Sequence, residues 1–538
     1  MLALPLPNGL LTLPFDCPPG IFLVFVGGLY LALVLALIAG ISRMMHGPIA
    51  TLRRFCLAHE NLGVLPVACA FVASWFGAAS TLATMDAVNQ QGLGGLWALV
   101  VPSCLSCLLI GSVMAKKAHL ASKRLGVLSL AEAMAATYGP QGQWWVALTM
   151  VLTSIAFMAS QLLAVGQLGH AVFGLPVWQI MAGVATLIVG YALAGGFLAV
   201  IITDFIQLGA VWLGLLLLCG LLLLGFQWPG LGGVWSHAQH TLTVLPGWLM
   251  QHRQPTFWQF WDGWSHHWGS VVTFVLAWSI APEMWQRMSA ARNADVAQRG
   301  TLWASAGLLL LFTLVGTIGV LSAPWVASLA PGQHVLTQLA LGPVVGLDAY
   351  WGPLLAMAIV LGAGCAMAST TDSSLNVSAT VLANDVLAGG LQHIRSKVGL
   401  TDTQRLLLAR MATALLPIPA IVVASRFENI LNVLWLSADL YASVMVVPVW
   451  AMLFASPSVG ASAAKVKGFQ HAGHMAMAIG LIMALISACR TLGVFSESAF
   501  WHVWPPSPYA TLLAILASGL GFFLVKLQHR LRHRGQAL

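Results

Sequence analysis

Charged side chains are scarce in this chain. Asp, Glu, Lys and Arg together make up 7% of its 538 residues, where a soluble domain carries about 25%. That shortage excludes a soluble globular protein and a disordered one, and a mean hydropathy of +0.87 agrees. Acidic residues are the rarer sign, 15 against 23 basic. So dilute a basic excess does not make a nucleic-acid-binding surface and reads instead as loop bias in a membrane protein. Paired cysteine motifs are also missing. The 8 Cys lie mostly in apolar runs, and the lone CxxC of Cys104 and Cys107 has no second pair to complete a zinc site. These thiols read as helix-packing residues. The alternation of a transmembrane β-barrel, in segments of about 10 residues, is absent. No His/Glu metal motif, serine elbow or nucleotide loop stands at catalytic spacing, so an enzyme is not expected.

What is present is a series of long apolar runs. They fall at about 21–41, 64–87, 93–114, 142–172, 176–194, 197–226, 269–287, 301–330, 350–387, 404–424, 428–456, 470–490 and 508–528. A spanning helix needs roughly 20 apolar residues, so the expectation is an all-α polytopic membrane protein with thirteen transmembrane helices. The first run has no basic residues before it and no small-residue cleavage pattern after it, and reads as a retained helix rather than a signal peptide.

An odd number of spans puts the termini on opposite sides. With the N-terminus outside, 20 of the 23 basic residues fall in inside segments, Arg287 and the tail residues Arg530, Arg532 and Arg534 among them. Only Arg253, Arg426 and Arg490 remain outside. The positive-inside rule therefore orients the chain with its C-terminus cytoplasmic, in a plasma membrane of the bacterial inner type. The longest outside segment, 227–268, is rich in Trp and His and reads as an aromatic interface belt on a polar loop. Its histidines are read as part of that belt and not as a metal site. The basic tail at 528–538 reads as a solvated inside segment near anionic headgroups.

Polar residues inside apolar spans are costly, an ionised one at mid-bilayer by at least about 2.5–3.5 kcal/mol, so each needs an interior partner or a function. In the second span Gly77, Ala78, Ala79 and Ser80 form a small, polar interruption. In the seventh, Pro282 removes a backbone donor and clashes with the preceding turn. Setting the first span aside, these two open two groups of five helices, and interrupted helices in matching positions point to a transporter's central site. The ninth span carries six consecutive polar residues, Ser369, Thr370, Thr371, Asp372, Ser373 and Ser374. Small hard cations such as Na⁺ take oxygen ligands from hydroxyls, carboxylates and freed carbonyls. This run supplies hydroxyls, and a break near 73–77 supplies carbonyls. Asp204, near the inner end of the sixth span, has two readings: a carboxylate favoured at a helix N-terminus, or a group near the ion exit path.

Three stretches resemble signatures of the sodium/solute symporter family. YALAGGFLAVIITDFIQ (191–207) is similar to GG-x-x-AV-x-x-TD-x-x-Q, AMASTTDSSLNVSATVLANDV (366–386) to M-S-T-x-D-S-x-L, and APEMWQRMSAA (281–291) to P-x-x-x-x-R-x-x-A-A. The resemblance covers about 20–525. It implies a leucine-transporter-like fold, a five-plus-five inverted-repeat core with one extra helix before it and two after. The corresponding division is 1–63 for the N-terminal helix and loop, 64–226 for the first repeat, 227–268 for the outer loop, 269–456 for the second repeat and 457–538 for the last helices and tail. The resemblance also implies a Na⁺ site formed by the carbonyls of Ala73, Phe76 and Ala366 and the hydroxyls of Ser369 and Thr370, with Asp204 associated with coupling.

For the solute, Trp278 and Pro282 match lining positions of the sodium/proline carriers, and Phe274 lies one turn before on the same face. Trp435 and Trp75 match aromatic cage positions of the choline carriers, whose third aromatic is replaced here by Ala281. The expectation is an aromatic wall with no unpaired carboxylate beside it to anchor an ammonium and no Arg or Lys to clamp a carboxylate, and Ser80 and Gln161 as further solute contacts. The function so implied is sodium-coupled import of a small organic solute, an amino acid, quaternary amine or monocarboxylate, by alternating access. The alternative is a sensor or regulatory membrane protein that keeps the transporter fold. Partners expected are the solute and the bilayer, with no nucleic acid and no obligate protein.

Overall fold

The structure, a computed structural model, describes residues 28–30, 32–40, 51–58, 60–226, 234–253, 255–330, 332–348, 351–389, 400–457, 462–491, 504–505 and 507–535. Among these the regular structure is helical, as hydrocarbon demands of a chain whose backbone groups must all pair internally. The helices are α1 (Leu52–Leu57), α2 (Val64–Trp75), α3 (Thr84–Gln91), α4 (Leu96–Leu109), α5 (Ala115–Leu125), α6 (Leu130–Phe173), α7 (Val177–Leu223), α8 (Val234–His252), α9 (Asp262–Ser279), α10 (Pro282–Ala290), α11 (Ala294–Leu321), α12 (Val335–Leu339), α13 (Trp351–Val381), α14 (Asp402–Leu415), α15 (Pro417–Ala424), α16 (Ile430–Ala455), α17 (Ala463–Thr491) and α18 (Tyr509–Gly535).

Nine helical stretches among the described residues are long and apolar enough to cross a bilayer, where the sequence reads as thirteen spans. Continuity accounts for part of the difference. Helix α7 has 47 residues, about 70 Å at 1.5 Å per residue, more than twice a hydrocarbon core of about 30 Å. It takes in the fifth and sixth expected spans, which meet at Gly196 (φ 51°, ψ −138°). A Cβ there would lie 2.6 Å from the Phe55 carbonyl oxygen, so the left-handed bend and the close approach of α1 both call for glycine. Interruption accounts for more: the second and seventh expected spans are each split into short helices. The first expected span lies partly outside the described residues.

The described part of the segment read as an outer polar loop is largely helical. Residues 234–252 form α8, and the following chain packs Trp97 against Phe260, Trp261 and Trp264, with Trp97 Nε1 donating to the Phe260 carbonyl at 2.7 Å. The histidines at 237 and 240 fall within that helix, and no group of three metal-ligating side chains occurs among the described residues.

Helix α13 is the axis of the bundle. It packs most heavily on α7 and α6, and every residue from Ser369 to Val381 is buried. A helix buried all round is interior, and here the interior stretch is polar. The halves α2 and α10 of the two interrupted spans are tied at their ends, where Leu62 N donates to Ala290 O and Arg292 N to Leu62 O, both at 3.1 Å.

Candidate functional site: two helix breaks across a polar axis

Helix α2 ends at Trp75. Phe76 leaves helical geometry (φ −89°, ψ 72°), and the chain re-enters through a wide π turn at Ala79–Ala83 before α3. Such a joint frees backbone groups that need partners. Gln161 of α6 supplies one, accepting from Ala78 N at 2.7 Å, and Ser80 Oγ supplies another, donating to Trp75 O at 3.1 Å. Gly77 lies in the joint because a Cβ would overlap Gln161 Oε1 and come within 2.7 Å of Thr370 Oγ1.

Across from this joint stands the polar run of α13. Ser369 Oγ donates to the carbonyls of Ala73 and Ala366, each at 3.0 Å. Thr370 Oγ1 donates to Ala366 O at 2.9 Å and Ala73 O at 3.4 Å. Four of the five residues implied as sodium ligands therefore converge, and Phe76 lies at the bend beside them, its ring edge-on to Phe312. A hydroxyl that donates its proton to a carbonyl keeps its lone pairs for a cation. The oxygens here are neutral, buried and drawn from two helices.

The second break lies between α9 and α10, at Ile280 and Ala281. Pro282 takes the first helical position of α10, where its missing N–H costs nothing. Phe274 stacks on Trp278 at 4.5 Å, Phe157 of α6 meets Trp278 edge-on at 5.7 Å, and Trp435 of α16 meets Phe274 at 6.3 Å. A small cavity opens against this stack, lined by Ser74, Ser154, Phe157, Trp278, Pro282 and Glu283 among others. Trp278 and Pro282 thus reach the cavity, whereas Phe274 and Trp435 back the wall. Trp75, Ser80 and Gln161 belong to the first break, and no ring contact joins Trp75 to the stack among the described residues.

One expectation is overturned here: a carboxylate does stand beside the wall. Glu283 is 7% exposed and lines the cavity, its Oε1 accepting from Ser374 Oγ at 3.1 Å. Its signal was visible as an acidic residue directly after an intramembrane proline. Phe157, in an unremarkable apolar stretch of α6, carried no such signal.

A second correction concerns Arg287. Counted by spacing as an inside-edge residue, it is fully buried within the bundle. Its Nε donates to Ala70 O (2.9 Å), Nη1 to Glu283 O (3.0 Å) and Nη2 to Ser373 Oγ (2.7 Å). Nη2 also stands 3.5 Å from Asp204 Oδ2. Asp204 lies two turns beyond the Gly196 bend, fully buried and facing this guanidinium, so the helix-terminus reading does not hold. Beside it Asp372 accepts from Tyr191 at 2.6 Å and Thr203 at 3.1 Å. The signature pair therefore reaches the α13 run directly through Thr203 and, for Asp204, by way of Arg287.

Over residues 55–457 the chain matches the sodium:solute symporter family. It belongs to that family. Among curated relatives, the human sodium/iodide cotransporter is 24% identical over 359 residues, 63% of this chain and 52% of that protein. The high-affinity choline transporter 1 of Torpedo marmorata is 21% identical over 417 residues, 76% of this chain and 68% of that one. The match thus spans about half the length of the iodide carrier. Among solved structures, a Na⁺-coupled sialic acid symporter in a substrate-bound outward-open state shares the fold, with TM-score 0.66 at 13% identity over 95% of this chain and 98% of that one. The protein is an integral membrane protein of the leucine-transporter-like fold.

Proposed function

We propose that this symporter-family member couples inward movement of Na⁺ to import of a small organic solute. The observation that carries the reading is the meeting of Ser369 and Thr370 with the Ala73 carbonyl across the first break. Sodium bound among Ala73, Phe76, Ala366, Ser369 and Thr370 would hold the inner half of the broken span against α13. That state presents the cavity at Trp278 to solute, and solute closes the outer path. Each inward charge contributes about 2.3 kcal/mol per 100 mV of membrane potential, and linkage requires sodium and solute to raise each other's affinity equally. Asp204 acts here through Arg287 and Ser373 on the same axis.

Uptake of labelled solutes into proteoliposomes, with an imposed Na⁺ gradient and with K⁺ in its place, tests the reading. Sodium-driven accumulation is the expected result. Sodium-dependent binding without accumulation would instead mark a sensor. The proposed orientation, N-terminus outside and C-terminus cytoplasmic, is tested in a cysteine-free background. A cysteine at His240 should label only from outside and one at Asp295 only from inside.

A further inference from the structure

The carboxylate at the second break has no assigned role. Glu283 is one residue past Pro282 and faces the cavity, and a single side chain, Ser374, donates to it. No Lys, Arg or His nitrogen lies within ion-pair distance of its carboxylate among the described residues. The nearest guanidinium, Arg287 one turn on, is committed to Ala70, Ser373, Asp204 and only the backbone carbonyl of Glu283. A buried carboxylate is costly unless a cation faces it.

The rest of the cavity says what kind of cation fits. Trp278 and Phe157 present aromatic surface, which attracts a positive nitrogen through the ring quadrupole. Ser154 Oγ is buried on the cavity wall with no hydrogen-bond partner. It is free to accept from an N–H or O–H. Tyr441 is not free in the same way, because its hydroxyl donates to Ile280 O. No basic side chain lines the space to receive an anion.

We infer that Glu283 is the anchor for a positively charged nitrogen of the solute, which makes the transported class small organic ammonium compounds. The nitrogen lies between the Glu283 carboxylate and the Trp278 face, with Ser154 taking a polar hydrogen. This rests on the symporter reading of the same cavity and narrows it: a monocarboxylate solute would meet a buried like charge. One cycle then carries at least two positive charges inward, the sodium and the solute.

The test is isothermal titration of the full-length protein in detergent with choline, ethanolamine, pyruvate and glucose, in Na⁺ and again in K⁺. The two cations are expected to bind in Na⁺ and the other two compounds not. Glu283→Gln should weaken cation binding by about tenfold or more, the scale set by losing one partner of a buried charge pair. Glu283→Asp, which keeps the charge and folds if the amide does not, should retain part of the affinity. Binding of pyruvate or glucose in place of the cations, failure of all four to bind, or choline affinity unchanged in Glu283→Gln would each overturn the assignment. The Na⁺-induced shift in Tm, measured without solute, separates this from the sodium reading. Its loss in the unmutated protein would sink sodium coupling while leaving the Glu283 result to stand or fall by itself.

Discussion

The two breaks are the same backbone event dressed differently. Each interrupts a span at the start of a five-helix group and each faces α13, but the side chains around them diverge. The first is enclosed by oxygen atoms without charge, from Gln161, Ser369, Thr370 and the Ala73 and Ala366 carbonyls. The second is enclosed by aromatic rings and by Glu283, with Arg287 one turn on. Neutral, closely set oxygens suit a small hard cation that sheds water for them. Rings and a carboxylate suit an organic group with apolar and charged parts. In the proposed function, two breaks thus supply two frames, and local chemistry suits each to a different occupant.

The largest expected effect breaks the pairing of the halves rather than either occupant. Arg287 reaches from α10 to Ala70 of α2, Ser373 of α13 and Asp204 of α7. Arg287→Ala leaves a buried carboxylate without its cation, a loss of about 3–5 kcal/mol. The measurement is Tm in detergent, and Asp204→Asn added to Arg287→Ala should recover part of the loss. No recovery would mean that the carbonyl and Ser373 contacts, not the ion pair, carry the stability.

Next come Thr370→Ala and Ser369→Ala, each expected to lower apparent Na⁺ affinity by about 1.5–3 kcal/mol, the scale for hydrogen bonds to charged groups. Solute affinity should fall only through its linkage to Na⁺. Trp278→Ala should do the reverse: solute affinity drops by about 0.5–2 kcal/mol on the cation–π scale, while Na⁺ affinity measured without solute stays. A Trp278 variant that binds solute normally would move the solute off the second break altogether.

The smallest effect lies outside both breaks. Partial burial of Glu60, between α1 and α2, pushes its carboxyl up, but Arg53 and Lys123 beside it prevail and hold it below the usual carboxylate range. A lowered folded pKa adds stability that is present above the ordinary glutamate value and is lost as pH falls through the lowered one. Glu60→Gln should therefore flatten the decline of Tm on acidification, and an identical decline would show that the pair contributes nothing.

Much of this was legible in the sequence because the bilayer simplifies the problem. Apolar runs, basic loops and interrupted spans mark the membrane segments. The hydroxyl run of α13 announced the first break's partner, since six polar residues in hydrocarbon need a reason. Other features were hidden for physical reasons. Arg287 lies near a span end in the sequence, where basic residues ordinarily face headgroups. Only tertiary packing shows that the break at Ile280 starts a new helix and carries Arg287 inward. Glu283 is marked in the sequence by following Pro282, but that it faces a cavity depends on the turn with which α10 starts after the break. Phe157 and Ser154 could not be read at all, because reaching the cavity depends on how α6 rotates against α16 and α10. The helix at 234–252 was hidden by its mixed Trp and His content, which has the composition of a loop.

The most direct test of two differently furnished breaks is a Na⁺ titration of solute uptake in proteoliposomes for the unmutated protein, Thr370→Ala and Trp278→Ala, each confirmed folded by Tm. A rightward shift of the Na⁺ curve is expected for Thr370→Ala, with Trp278→Ala keeping the original Na⁺ midpoint at saturating solute. A Thr370→Ala midpoint that matches the unmutated protein, or a shift of the same size in Trp278→Ala, would contradict the division of labour between the two breaks.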